Sequence, residues 1–521
     1  MNQVPRRQVV QTLKVLLLTV LTSFSLQAAE PYFCSSELGR LPVQQGGRVK
    51  PLYVHASETI KYVTGERKIG DYDAVTAYCL LSLQGMGLAN NLKATTKVEH
   101  IDLKKFLGME ESEHTYELAE LVDQMGELRL EWRQAEEDSS YKKALNTLLG
   151  QVALYNDIAS GNNWTFPEPA ADGASWFPLV AFLTETKVAK AKSEGSNEPF
   201  VTVMNEASKF YETKVDDTFV LEYHYAKAHL PGWAMLLSLL GLASLVLFKR
   251  FKVALLFAGS AILVQTALIT LRVIISGRGP VTNMYETVLF SGWGALVLGL
   301  AIGHFRKEKA FVYVGLAYNV MTMMMMNFAT GMLSERISPL VPVLRDNFWL
   351  STHVTTIIIS YGALAMSWVL ANTVLIKRSF GGGISAEDER YFADLTYTCM
   401  KWGTVLLAAG VILGGVWADY SWGRFWGWDP KETWSLIVLC LYMAILHGRY
   451  TAWIPPRRFA TLVAAAFMSV MMAWFGVNYI LASGLHSYGF SEGGAIFLGS
   501  FFLIQIALIA ITSLKSKLST N

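Results

Sequence analysis

The chain changes character near residue 230. Beyond it, long apolar runs alternate with short polar loops, near 232–248, 253–271, 286–303, 310–330, 353–376, 399–418, 434–447, 459–482 and 495–513. In lipid a spanning segment must satisfy its own backbone, which a helix of about 20 apolar residues does. The pattern predicts an all-α polytopic membrane domain over residues 230–521, with about nine transmembrane helices. Residues 30–229 instead mix polar, charged and apolar positions in ordinary proportion, over a length that can bury its own core. Apolar residues recur there at helical spacing over 113–150, so this part is expected to be a mostly helical soluble domain. The stretch 162–173, rich in Pro, Gly and Asn, reads as loop. Its Lys and Glu runs read as a solvated face, and neither a catalytic constellation nor an internal repeat emerges. Asn163-Trp164-Thr165 fits a glycosylation sequon, which is uninformative without a known host.

The first 29 residues carry Arg6, Arg7 and Lys14, an apolar run over 15–26, then Ala28-Ala29. That is the pattern of a secretory signal, although Leu26 or Gln27 would occupy the position that prefers a small residue. A cleaved signal peptide and an uncleaved anchor both remain open, and either delivers 30–229 to the outer side. Positive charge clusters at Lys249-Arg250-Phe251-Lys252, Arg306-Lys307-Glu308-Lys309, Lys377-Arg378, Arg449 with Arg457-Arg458, and Lys515 with Lys517. By the positive-inside rule these loops face the cytoplasm, and 272–285, 331–352, 419–433 and 484–494 face out. The expected setting is a bacterial inner (cytoplasmic) membrane, with the N-terminal domain on its periplasmic side.

Composition adds little to this picture. Of 521 residues 52% are hydrophobic, and the net charge is +2, with no basic run suited to nucleic acid. The four cysteines, Cys34, Cys79, Cys399 and Cys440, include no Cys-x-x-Cys pair, which argues against a thiol oxidoreductase. Cys399 and Cys440 fall in apolar runs and read as small buried hydrophobes. Cys34 and Cys79 share the exported part, where a disulfide is open to them.

Candidate chemistry concentrates in 422–434, Trp-Gly-Arg-Phe-Trp-Gly-Trp-Asp-Pro-Lys-Glu-Thr-Trp. Trp422, Trp426, Trp428 and Trp434 place four indoles in one outer loop between two apolar segments, with Asp429, Lys431 and Glu432 among them. Such a loop offers a surface to a large flat ligand, since indole faces supply area and each N–H can meet an acceptor. An interfacial aromatic belt would scatter these residues around the protein instead. The stretch resembles the "WWD" signature of the haem-handling proteins of cytochrome c maturation, most nearly the CcsA (ResC) family of the system II cytochrome c synthase. The resemblance covers about residues 222–513. Ahead of it, Gly47-Arg48-x-Lys50-Pro51 looks like a segment found in some relatives.

Nine histidines occur in all. His353 opens the fifth apolar run at its outer end, and His486 lies in the outer loop after the eighth. The resemblance implies that His353 and His486 are paired axial ligands of one haem iron beside the tryptophan loop, a role imidazole nitrogen suits. His447 ends the seventh run near the inner boundary, where an ionisable side chain is a functional candidate. By the resemblance it helps hold haem b within the membrane domain. The resemblance implies that the second ligand there comes from a CcsB (ResB) part; His224 and His229 precede the first helix and His304 sits in an inner basic loop, so that part is expected as a separate partner. Arg272 and Arg278 lie on the outer side, where positive charge is normally thinned. Pairing with haem propionates and pairing with Glu286, Glu335 or Asp429 both stay open, while Asn283 and Glu286 are expected to brace the third helix. Asp429-Pro430 also reads as a plain helix start, and Asp429 is favoured as orienting the loop or a haem edge. Nothing marks Asp429 or Glu432 as an acid or base. Met321 and Met323 to Met326 are read as packing.

The resemblance implies a function in cytochrome c biogenesis. Haem enters near His447, moves to the outer site, and is joined by thioether bonds to Cys-x-x-Cys-His of an exported apocytochrome c. A CcsB partner is expected, and a thioredoxin-like thiol reductant is a further candidate. Two rivals stand: a haem exporter of the CcmC or CcmF type with no ligation activity of its own, and a non-haem permease.

Overall fold

The computed structural model describes residues 34–518 apart from 86, 88, 90–91, 138, 168–174, 183–192, 194–197, 341, 382 and 482–493. The signal or anchor segment and His486 therefore lie outside the described residues. The chain divides into two compact units, one up to His224 and one from Tyr225.

Among its described residues the first unit is mostly helical, with antiparallel two-stranded hairpins. In one hairpin, Pro42–Gln45 pairs with Arg48–Pro51 across Gly46 and Gly47, whose φ of 60° and 80° suit residues without Cβ. The Gly-Arg-x-Lys-Pro motif is the turn and second strand of this hairpin. Arg48 forks onto Glu222 at 2.7 and 2.8 Å, and Lys50 reaches Glu58 at 2.7 Å. The helices Leu52–Thr64, Ala74–Gln84 and Ser140–Ala159 enclose a core that includes Leu52, Ile60, Tyr78, Leu148 and Trp164. Cys34 is bonded to Cys79, their Cα atoms 5.8 Å apart. His55, fully buried, sets Nε2 2.9 Å from both the Tyr78 hydroxyl and Asn163 Oδ1. The sequon asparagine is thus committed to internal hydrogen bonds.

The second unit is a bundle of α1 (Leu230–Val246), α2 (Phe251–Ser276), α3 (Met284–Arg306), α4 (Ala310–Phe328), α5 (Thr355–Phe380), α6 (Ala386–Trp422), α7 (Pro430–Tyr450), α8 (Pro456–Met471) and α9 (Gly494–Leu518). Where α3 meets α4 the backbones approach through small residues: a Cβ on Gly299 would stand 2.7 Å from the Phe311 carbonyl oxygen. Fully buried Asn319 of α4 accepts from Ser238 of α1 at 2.7 Å and donates to Gln265 of α2 at 2.9 Å, tying three helices. On the other flank, Trp368 Nε1 of α5 donates to Gln505 of α9 at 2.7 Å, and Gln505 donates to Asn372 at 3.0 Å.

A helix stands at each apolar run. Among the described residues, seven segments are long and apolar enough to cross a membrane, or eight if Thr218–Lys227 and α1 count as one broken span. This is a multi-pass membrane architecture. Helix α7 fails on composition, since Lys431, Glu432, His447 and Arg449 flank its apolar middle. Helix α6 begins thirteen residues before its apolar run (~20 Å of extra helix). Ser385 caps it by accepting the Asp388 N–H at 3.0 Å, and Glu387, Asp388 and Glu389 fill its first turn. Two short π-helical turns interrupt the bundle, Leu350–Val354 ahead of α5 and Met472–Gly476 after α8. Both border the cavity described next.

Candidate functional site

One end of the second unit encloses a cavity with about 1270 Å³ of atom-free space, its open mouth included. Its walls come from the loop before α3, the π turn with the start of α5, the end of α6, the tryptophan loop, the start of α7 and the second π turn. Most of the wall is apolar or aromatic, with few polar groups, the usual make-up of a small-molecule site.

His353 lies on the π turn and lines this cavity. The wide turn is a feature frequent at functional sites. Its imidazole Nδ1 lies 2.8 Å from the Gly410 carbonyl oxygen of α6. A carbonyl only accepts, so Nδ1 carries the proton and Nε2 the lone pair. Holding one ring nitrogen to a backbone carbonyl while the other is left basic is how proteins prepare a metal-binding histidine. The ring fits because α6 has no side chain opposite it: a Cβ on Gly414 would stand 2.6 Å from His353 Cε1. Its edge meets the Trp417 ring at 5.7 Å.

The tryptophan loop closes the cavity unevenly. Trp422 and Trp426 line it, together with Phe425. Trp428 is 69% exposed, takes a left-handed φ of 58° and turns its edge to Trp426 at 6.0 Å, so it stands outside the wall. Trp434 is half-buried and packs into the main core. Gly423, at φ 68°, ends α6 and turns the chain into the loop. Asp429 caps α7, accepting the Lys431 and Glu432 N–H groups at 2.9 and 3.0 Å, with Pro430 as first helical residue. This is the plain helix start, and it also fixes the loop. The Arg424 guanidinium lies against the backbone of Gly427, where any Cβ would collide with it, and over the Trp422 ring at 5.9 Å. Lys431 Nζ donates to Asn478 Oδ1 at 3.2 Å.

Several buried polar atoms here have no hydrogen-bond partner among the described residues: Trp417 Nε1, Trp426 Nε1 and Glu432 Oε1, all from cavity residues, and Arg424 Nη1. Buried polar groups are normally paired. Aromatic walls, an imidazole with a basic nitrogen and indole N–H groups lacking acceptors suit a broad flat ligand that carries acceptors and a metal centre. Trp417, Trp474 and Tyr361 also line the cavity, and sequence reasoning missed them because they sit inside apolar runs.

The two arginines flanking the turn between α2 and α3 differ. Arg272 is fully buried and pairs with Glu286 at 2.7 Å, which settles its partner as protein. Asn283 caps α3 by accepting the Glu286 N–H at 2.9 Å, so both bracing expectations match the geometry. Arg278 donates to Thr282 Oγ1 at 3.3 Å and does not line the cavity. His447 lies about 27 Å along α7 from Asp429, given 1.5 Å rise per residue. It is exposed at the surface of the unit, its Nδ1 2.8 Å from the Met443 carbonyl oxygen. The structure therefore brings His353, Trp422 and Trp426 together and leaves Trp428, Trp434, Arg278 and His447 off the cavity wall.

Residues 281–486 match the family described as Cytochrome C assembly protein. The cytochrome c biogenesis protein CcsA of Guillardia theta is 33% identical over 287 residues, which are 49% of this chain and 93% of that protein. CcsA of Chlamydomonas reinhardtii is 33% identical over 259 residues, covering 48% and 73%. Among solved structures, the cytochrome c haem lyase CcmF is 16% identical with a TM-score of 0.40, covering 55% of this chain and 50% of that one; so slight a likeness carries no argument. An alignment that spans nearly all of a CcsA protein at one-third identity leaves no ambiguity of kinship: the chain belongs to the CcsA family of cytochrome c biogenesis proteins.

Proposed function

We propose that this chain holds haem b at its outer cavity and joins it to exported apocytochrome c, as the haem-handling half of a two-part synthase. The observation that carries the reading is the His353–Gly410 contact, which fixes the imidazole in the wall of a cavity that Trp422 and Trp426 also line. His353 would bind the iron from one side and His486 from the other. Trp422 and Trp426 would face the porphyrin, and Asp429 would fix their loop. His447 is assigned to an earlier station of haem in the membrane, completed by a ligand from a CcsB-type partner; its exposure on α7 suits a shared site. The disulfide between Cys34 and Cys79 supports an exported N-terminal unit, since such bonds persist in oxidising compartments such as the periplasm. A thioredoxin-like reductant would keep the apocytochrome thiols free.

The chemistry is addition of each cysteine S–H across a haem vinyl group. The protein's part is to hold the haem edge and the Cys-x-x-Cys-His segment in one orientation, which lowers the entropic share of the barrier. The test is an absorption spectrum of the detergent-purified chain, co-expressed with the partner, for wild type and His353→Ala/His486→Ala. A low-spin Soret band that shifts or fades in the variant supports the reading. A colourless wild type from haem-replete cells contradicts it.

A further inference from the structure

The outer cavity holds a buried acceptor that the fold leaves unused. Glu432 is the third residue of α7, and its Oε2 accepts the Gly427 N–H at 2.6 Å. Its Oε1 has no hydrogen-bond partner among the described residues, although the residue is only 9% exposed and lines the cavity. Arg424 Nη1 forms a loose ion pair with it at 3.7 Å, beyond hydrogen-bond reach, with the guanidinium seated on Gly427 and Trp422. A buried carboxylate oxygen that accepts no hydrogen bond is costly, and such a cost is commonly met where a group has work to do.

Thioether formation moves one proton per bond, off sulfur and onto carbon, and a positioned base that becomes the acid serves both halves. Four titratable side chains are described on the cavity wall: His353, Tyr361, Lys431 and Glu432. The His353 Nε2 lone pair is assigned to iron. Lys431 Nζ is engaged as a donor to Asn478. Tyr361 is a phenol, neutral near pH 7 and hence a donor. Glu432 is left as the proton acceptor.

We propose that Glu432 carries the proton in thioether formation. Oε1 takes it from the cysteine Sγ as a sulfur lone pair forms the S–C bond at the inner vinyl carbon. The vinyl π pair then takes the same proton at the terminal carbon, which becomes a methyl group. The carboxylate is regenerated, no electron leaves or enters, and the iron keeps its oxidation state. The assignment rests on the reading that this cavity holds haem.

The experiment uses the full-length chain co-expressed with a CcsB-type partner and an exported Cys-x-x-Cys-His apocytochrome, as wild type, Glu432→Gln and Glu432→Asp. Soret absorbance of the purified complex reads haem content, and haem staining of denaturing gels reads covalent product. Glu432→Gln is expected to keep wild-type haem content while covalent product falls about 100-fold, the scale of general acid–base catalysis, with part of it restored in Glu432→Asp. Wild-type product from Glu432→Gln overturns the proposal. Product that falls only in step with haem content overturns it too, because the carboxylate then serves binding or folding. A wild type without haem sinks the reading beneath it, and that is visible before any variant is compared.

Discussion

Arg272 and Glu286 form an ion pair at 2.7 Å with each side chain 1% exposed, joining the end of α2 to the start of α3. The carboxylate also accepts the Thr282 N–H and hydroxyl at 2.9 and 2.7 Å, and the guanidinium donates to the Tyr225 hydroxyl and the Glu335 carbonyl. One pair thus anchors the loop before α3 that borders the cavity. Removing either partner leaves a buried charge uncompensated, so Glu286→Ala should cost about 3–5 kcal/mol. A lowered aggregation temperature and a reduced yield of monodisperse protein would register this. Thermal stability equal to wild type would contradict it.

Gly414 is predicted to matter through its missing Cβ alone. Gly414→Ala pushes against the His353 ring at 2.6 Å, whereas at Gly259 of α2 an added Cβ meets nothing within 4 Å. Gly414→Ala should weaken or shift the Soret band of the bound chromophore while Gly259→Ala keeps the wild-type spectrum. Equal spectra would mean that the imidazole is not held against α6.

Thiol labelling tests the placement of the first unit. In denatured but unreduced protein a maleimide should modify Cys399 and Cys440 only, and reduction should expose Cys34 and Cys79 as well. Labelling of all four without reduction would contradict an exported domain. Since the bridge closes a loop of 45 residues, Cys34→Ser/Cys79→Ser should destabilise that unit by about 4 kcal/mol.

Helix α9 is held by a polar seam as well as by packing. Gln505→Leu removes the acceptor of Trp368 and the donor to Asn372. Interhelical hydrogen bonds in bilayers contribute roughly 0.6–2 kcal/mol each, so the variant should unfold earlier in detergent while keeping its haem spectrum. An unchanged unfolding midpoint would show that packing alone holds α9.

The membrane helices were legible because lipid forces every backbone group to pair within its own segment, so apolar length alone locates them. One apolar run stands apart from the other spans for a physical reason. The 434–447 run is bracketed by Lys431, Glu432 and His447, and a residue at a helix end reads the same whether it borders lipid or a cavity. The tryptophan loop was legible as a cluster, yet its parts separate by geometry: Trp426 faces the cavity while Trp428, two residues on, turns outward through its positive φ. Trp417 and Glu432 were hidden differently. A buried N–H or carboxylate oxygen without a partner is a relationship between distant segments, and no local spacing records it. The π turn that carries His353 is likewise a local change of helical register that the apolar pattern does not record.

His353 is assigned to haem iron in the cavity, and the absorption spectrum of His353→Gly purified with its partner, recorded with and without added imidazole, tests that assignment most sharply. A weakened or high-spin band is expected, which free imidazole returns toward the wild-type low-spin form, because the space opposite Gly414 then accepts the missing ring. A His353→Gly spectrum identical to wild type would rule out iron ligation by His353.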